Sequence, residues 1–325
     1  MRIWPSVLIV AALAAPAQAF DCGEAATPVE KAICADDGLM ALDGQMAAAY
    51  GEVRKLSTDD ERRMLALSQK AWIDGREAGC GGQVADLAAC IRSTTEERLR
   101  LLSGAAESGP GIPGRVIPVF ILQEGDAERY DLDITLLRLA AAATPGAGRF
   151  NAIAEEIGRR VKLGPHDEDT AGHTYALQEA MTISYASSRL VSVEHSFWSD
   201  LGGAHGNGGV QNFNFDMASG RDLTIGDFFG EDAFAWLSGA CKAQIVAAKA
   251  TRLGGETYDA ASDSFLSDEV IGEHVATLSR WRFGESEARV SFDAYAIGSY
   301  AEGSYDCRFA MDDLRARALP GAPLP

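Results

Sequence analysis

Apolar residues recur every three or four positions through the first hundred residues. Beyond about residue 115, runs with strand-like apolar content alternate with helical ones. A helical module followed by a mixed module is the simplest reading. In the first, Thr27 is predicted to cap a helix through "PVEKAICAD", with Pro28 at the first helical position and Glu30 completing a capping box. Leu39, Leu42, Met46, Ala49 and Val53 lie on one face of the next helix. The segment Glu61 to Glu77 is predicted to turn Met64, Leu67, Ala71 and Trp72 inward, and "ADLAACIRSTTEERLRLL" supplies a further helix.

The small residues, glycines and prolines of "SGAAESGPGIPG" interrupt the helical pattern and mark a linker over residues 104–114. After it, "RVIPVFIL" and "YDLDITLLRL" read as strands and "RFNAIAEEIGRRVKL" as a helix. "TYALQEAMTISYAS" and "RLVSVEHSFWSD" read as two long antiparallel strands. The strand "VQNFNFDM", a helix from about Asp232 to Arg252, strands at "LSRWRF" and "ARVSFDAY", then "SYDCRFAM" and a short helix at "DDLRARAL" complete the chain. The predicted class is α+β: a small disulfide-stapled helical domain at 20–103, joined by a Gly/Pro linker to an antiparallel-sheet-plus-helices domain at 115–318.

The opening "MRIWPSVLIVAALAAPAQAF" sets Arg2 before a short apolar run that ends in "AQA". This predicts a signal peptide over residues 1–19, cut after Ala19, and a periplasmic or secreted protein. No later stretch approaches the roughly 20 apolar residues of a spanning helix. The six cysteines all lie beyond the cut, which in an exported chain reads as disulfides. Their clustering pairs Cys22 with Cys34, Cys80 with Cys90, and Cys241 with Cys307. A net charge of −18 disfavours nucleic acid and anionic lipid and favours cationic partners.

Few catalytic signatures are present: no G-x-S-x-G, H-E-x-x-H, P-loop or G-x-G-x-x-G pattern occurs. Ser, His and Asp in "EHSFWSD" alternate between the faces of a strand and cannot form a triad among themselves. Asp167, Glu168 and Asp169 lack EF-hand spacing, so a solvated loop is preferred to a calcium site. The loop "LGGAHGNGG", residues 201–209, sets His205 among five glycines. With His195 and Asp200 it offers an alternative transition-metal site. Five glycines instead argue for positive φ, with Gly203 the test case, or for close approach of another chain segment, and a flexible loop holds metal ligands poorly. The sequence therefore predicts no catalytic residue, cofactor or metal.

Two resemblances sharpen the reading. "FDCGEAATPVEKAIC", "SQKAWIDGREAGC" and "ACIRSTTEERLRLL" resemble the N-terminal domain of the LprI family, named for an exported mycobacterial lysozyme inhibitor. "GGAHGN", "NFNFDMASGRDLTIGDFF" and "VSFDAYAIGSYAEG" resemble a domain shared by the anti-sigma factor RsiV, where it is a lysozyme receptor, and the deacetylase PdaC. The chain has neither a spanning helix nor a deacetylase domain, so sigma-factor signalling and deacetylation are not implied. The resemblances imply an exported, non-enzymatic protein that is a binder or inhibitor of a cationic lysozyme-type muramidase. Ser299 and Tyr300 would then form the contact, flanked by Tyr295, His205, Asn207 and Gly208. The alternative is an envelope module for peptidoglycan or another glycan, with Trp198, Tyr295 and Tyr300 stacking on sugars; a metal-dependent hydrolase comes third.

Overall fold

The computed structural model describes residues 21–82, 84–123, 130–161, 173–254 and 258–325. The predicted signal segment and the run Asp167 to Asp169 lie outside them. Among the described residues no helix is long and apolar enough to cross a membrane. The chain divides into two compact units, Met1–Lys55 with Trp72–Leu99, and Leu56–Ala71 with Arg100–Pro325.

The first unit draws on four helices, α1 (Pro28–Ala35), α2 (Asp37–Leu56), α3 (Asp59–Cys80) and α4 (Leu87–Ser103). α1 begins as its sequence dictates: Glu30 N–H donates to Thr27 Oγ1 (3.1 Å) and Thr27 N–H to Glu30 Oε2 (2.9 Å), a closed capping box. Disulfides Cys22–Cys34 and Cys80–Cys90 tie the ends of these helices around Val29, Ile33, Leu39 and Ile91. Asp43 and Arg76 are buried here; the guanidinium reaches Asp43 at 3.1 Å and lies 4.5 Å over the Trp72 ring. The predicted face of α3 needs correction, because Leu67 is 50% exposed and Ala71 is exposed, while Leu65 and Arg76 are buried. The true stripe contains polar residues that find partners, so counting apolar residues alone selected a neighbouring face.

In the second unit a five-stranded sheet runs in sequence order: β1 (Val116–Gln123), β2 (Tyr130–Leu139), β3 (Tyr175–Ala186), β4 (Val191–Asp200) and β5 (Asn207–Phe215). All neighbours are antiparallel except β2 and β3, which are parallel. That exception needs a crossover, and α5 (Pro145–Arg160) lies in the connection. Residues predicted as linker are hydrogen-bonded along the end of β3, with Glu107 N–H on Ile183 O at 2.8 Å and Gly111 N–H on Ala186 O at 3.0 Å. A second sheet holds β6 (Trp281–Phe283), β7 (Glu287–Phe292) and β8 (Tyr305–Ala310). The helices α6 (Glu231–Leu253), α7 (Asp268–Ala276) and α8 (Met311–Arg315) complete the unit.

Strand alternation sorts the residues between two kinds of interface. Val191, Val193, Phe213 and Phe215 share one core with Phe150, Ile153 and Ile157 of α5. Ser192, Glu194, Asn212 and Asn214 occupy the alternate positions and meet the small sheet through polar contacts. Asn214 Nδ2 donates to Leu278 O (3.0 Å) and Trp281 O (2.9 Å), Phe283 N–H donates to Ser192 Oγ (3.1 Å), and Arg289 reaches Glu194 at 2.5 Å. The other face of the small sheet shares a second core with α6 and α7, containing Leu237, Ile245, Ile271, Val290 and Phe292. Cys241 of α6 is bonded to Cys307 of β8 inside that core.

Candidate functional site

Two loops of the second unit meet: residues 201–206 between β4 and β5, and residues 293–304 between β7 and β8. Asp293 ties the longer loop to β5 and to the residue preceding β6, accepting from the Val210 N–H at 3.0 Å and from Arg280 at 2.6 Å. The longer loop is held further by Ile297, 1% exposed, and by Glu302, which accepts from the Ser299 N–H (2.7 Å) and hydroxyl (3.0 Å).

On this frame sits an aromatic platform. The rings of His205 and Tyr300 are stacked 3.6 Å apart, and the Tyr295 ring lies 5.6 Å from Tyr300. Tyr300 OH donates to Gly206 O at 2.7 Å. The same carbonyl lies 2.9 Å from His205 Nδ1, while Nε2 lies 3.1 Å from Tyr295 OH. A carbonyl only accepts, so Nδ1 carries a hydrogen toward Gly206 O, and Nε2 makes its hydrogen bond with the Tyr295 hydroxyl. Tyr295 is 56% exposed and has φ 72°, a left-handed conformation rare outside glycine.

The glycines act mainly through space. A Cβ on Gly206 would lie 2.4 Å from the Trp198 indole, one on Gly208 2.6 Å from Phe197 O, and one on Gly209 2.7 Å from the Asp293 carboxyl. Gly202, with φ 82°, is the loop glycine that needs positive φ; Gly203 does not, and a Cβ there meets little. Asn207, Gly208 and Gly209 belong to β5, paired with Ser199, Trp198 and Phe197, rather than to the loop.

The predicted contact residues Tyr295, Tyr300 and His205 are thus brought together, with Gly206 and Trp198 beneath. Ser299 is at the rim, its hydroxyl engaged by Glu302. His195 is elsewhere: it is buried, with Nε2 2.7 Å from Glu179, and Asp200 accepts from Gly202 N–H at 3.0 Å. The three residues of the alternative metal site therefore make separate contacts. Among the described residues no group of three or more His, Cys, Asp or Glu is placed to hold a metal ion.

Beneath the loop lies a cluster the sequence reading missed. Lys249, wholly buried, contacts Asp263 (2.8 Å) and Glu302 (3.0 Å); Tyr258 and Tyr305 donate to those carboxylates at 2.8 Å each. Burial pushes Glu302 up, but the Ser299 N–H, Lys249 and two hydroxyls outweigh it and hold its carboxyl at about 2. Burial pulls Lys249 down, and its two carboxylate partners more than reverse this. A signal existed: Lys249 continues the stripe Leu237, Cys241, Ile245 at intervals of four.

Residues 22–102 match the model of a family described as lysozyme inhibitor LprI. Among solved structures the chain is similar to a DUF3298 family member from Bacteroides fragilis (15% identity, TM-score 0.45, 64% of this chain and 94% of that one). A DUF3298 family protein from Pseudomonas aeruginosa gives 17% identity, a TM-score of 0.43, and coverage of 68% and 99%. No curated protein gives a significant match.

Proposed function

We propose that the protein is exported, binds a cationic lysozyme-type muramidase and inhibits it. The observation that carries this reading is the match of residues 22–102 to a lysozyme inhibitor family. Three disulfides fit an oxidising compartment. A net charge of −18 would steer a basic partner inward. Charge alone gives weak, salt-sensitive association with any basic protein, so specificity requires an anchor.

The platform supplies one. Tyr295 presents an exposed ring on a backbone conformation that is unfavourable for a non-glycine residue, and such strain concentrates at contact sites. Tyr300, half-buried and stacked on His205, holds the neighbouring ring in place. Calorimetry of the whole protein with a cationic lysozyme and with cytochrome c, at low and moderate salt, tests the reading. Lysozyme binding is expected to survive moderate salt and to weaken by about 2 kcal/mol, roughly thirtyfold, in Tyr295→Ala and Tyr300→Ala. Equal binding of cytochrome c, lost at moderate salt and indifferent to both variants, would reduce the interaction to charge.

A further inference from the structure

Next to the platform, and sharing Tyr300 with it, is a cleft of about 500 Å³ whose remaining lining the muramidase reading does not use. Its size falls in the roughly 300–1,000 Å³ range of small-molecule sites. The alternation of β7 builds one wall: Ala288, Val290 and Phe292 enter the core, which leaves Arg289, Ser291 and then Asp293 facing the cleft. Asp306 stands opposite Ser291 in the register of β8, and Tyr300 and Ser304 line the same space.

Two atoms of this wall are unsatisfied. Ser291 is 4% exposed, and its Oγ has no hydrogen-bond partner. Arg289 Nε is likewise buried without one; the nearby Asp306 carboxylate is 3.8 Å away, beyond hydrogen-bond reach. Buried polar atoms are rarely left unpaired, and two side by side in a cleft point to a ligand that completes them.

The chemistry of the wall selects that ligand. An anion would meet the carboxylates of Asp293 and Asp306. A cation could not accept from Arg289 Nε–H, whose guanidinium is already paired with Glu194. A group that both accepts from Arg289 and donates to Asp306, without net charge, satisfies both, and Ser291 Oγ can serve in either direction. Hydroxyl groups do this, and a pyranose carries several on a ring whose C–H face packs on an aromatic such as Tyr300. We propose that this cleft is a binding site for a neutral saccharide of one or two rings, held by Ser291, Arg289 and Asp306 beside Tyr300.

The test is calorimetry of the whole protein with two neutral disaccharides, cellobiose and N,N′-diacetylchitobiose, and with glucuronic acid and glucosamine as charged controls. At least one neutral disaccharide should bind, and both charged sugars should bind more weakly. Ser291→Ala and Asp306→Asn should each weaken it about tenfold, the loss of one hydrogen bond to a polar ligand. Asp306 is partly exposed, so its variant keeps the test open if Ser291→Ala destabilises the chain. Leu67→Ala, at an exposed position of α3 outside the cleft lining, should leave saccharide binding unchanged. The proposal fails if neither neutral disaccharide binds at millimolar concentration. It fails equally if the charged sugars bind as well, or if binding ignores both Ser291→Ala and Asp306→Asn.

Discussion

The Lys249 ammonium, at the end of the buried stripe of α6, lies 3.0 Å from the Glu302 carboxylate at the foot of the loop carrying Tyr295 and Tyr300. Glu302 also accepts from Ser299 and Tyr305, so one carboxylate fastens the loop to its own helical turn, to a helix and to a strand. The platform is therefore held from below by charge as well as by Ile297.

Lys249→Met should destabilise the second unit by about 3 to 5 kcal/mol, because it leaves Glu302 and Asp263 as buried, uncompensated charges. Adding Glu302→Gln and Asp263→Asn should restore part of the loss. Urea unfolding with the disulfides intact measures both. A single variant that loses under about 1 kcal/mol would show the cluster to be better hydrated than its geometry implies.

The same cluster sets an acid limit. Within it Glu302 is held at about 2 and Asp263 is lowered as well; outside it Asp227, paired with Arg221 at 2.8 Å, is also held at about 2, and all three lie below their unfolded values. A depressed carboxylate stabilises the fold fully above its unfolded pKa, near 4, and the contribution fades as pH falls toward 2. Lys249 is shifted upward, so its contribution is complete below about 10 and is lost at higher pH. Melting temperatures should be flat in this respect between about pH 5 and 10 and should drop between 5 and 2. Glu302→Gln should lower the plateau and flatten the acid slope; an unchanged slope would remove Glu302 from the account.

Gly206→Ala should disturb the platform, because its Cβ would lie 2.4 Å from the Trp198 indole, and overpacking of this kind costs about 1 to 3 kcal/mol. Gly203→Ala has neither a positive φ nor a close neighbour to oppose it and should be nearly neutral. Melting temperature and tryptophan fluorescence of the two variants should separate them. Equal effects would mean that loop composition, rather than contact with Trp198, sets its shape.

How far these features were legible depended on range. The capping box at Thr27 and Glu30, the stripe of α2 and the alternation of β4 are local patterns, and they appear where periodicity placed them. Pairing β2 with β3 in parallel is a long-range choice that no local pattern encodes. The face of α3 was misplaced because Arg76 is buried against Asp43 and Trp72, and a charged residue is read as exposed until its partner is known. The same blindness hid Lys249 from the site. Tyr295 and Tyr300 were recognised as neighbours of His205, whereas the cleft could not be read, since it depends on which face of β7 turns away from the core.

The disulfides should differ in their resistance to reduction. Cys241 and Cys307 are both 0% exposed within the core of the second unit, while Cys22 is exposed. Thiolate attack requires access to a sulfur, so graded reductant should open Cys22–Cys34 first and Cys241–Cys307 last. Their sequence separations are 66 for Cys241–Cys307, 12 for Cys22–Cys34 and 10 for Cys80–Cys90. Chain-entropy arguments then give roughly 4 kcal/mol for the first and about 3 kcal/mol for each of the others. Cys241→Ala with Cys307→Ala should therefore lower stability more than either other double replacement, and should loosen α6 from β8. Peptide mapping after timed alkylation reads the order of opening, and urea midpoints read the energies. Early loss of Cys241–Cys307 under native conditions would mean that the helix α6 opens from the sheet far more readily than its buried packing with Leu237 and Ile245 allows.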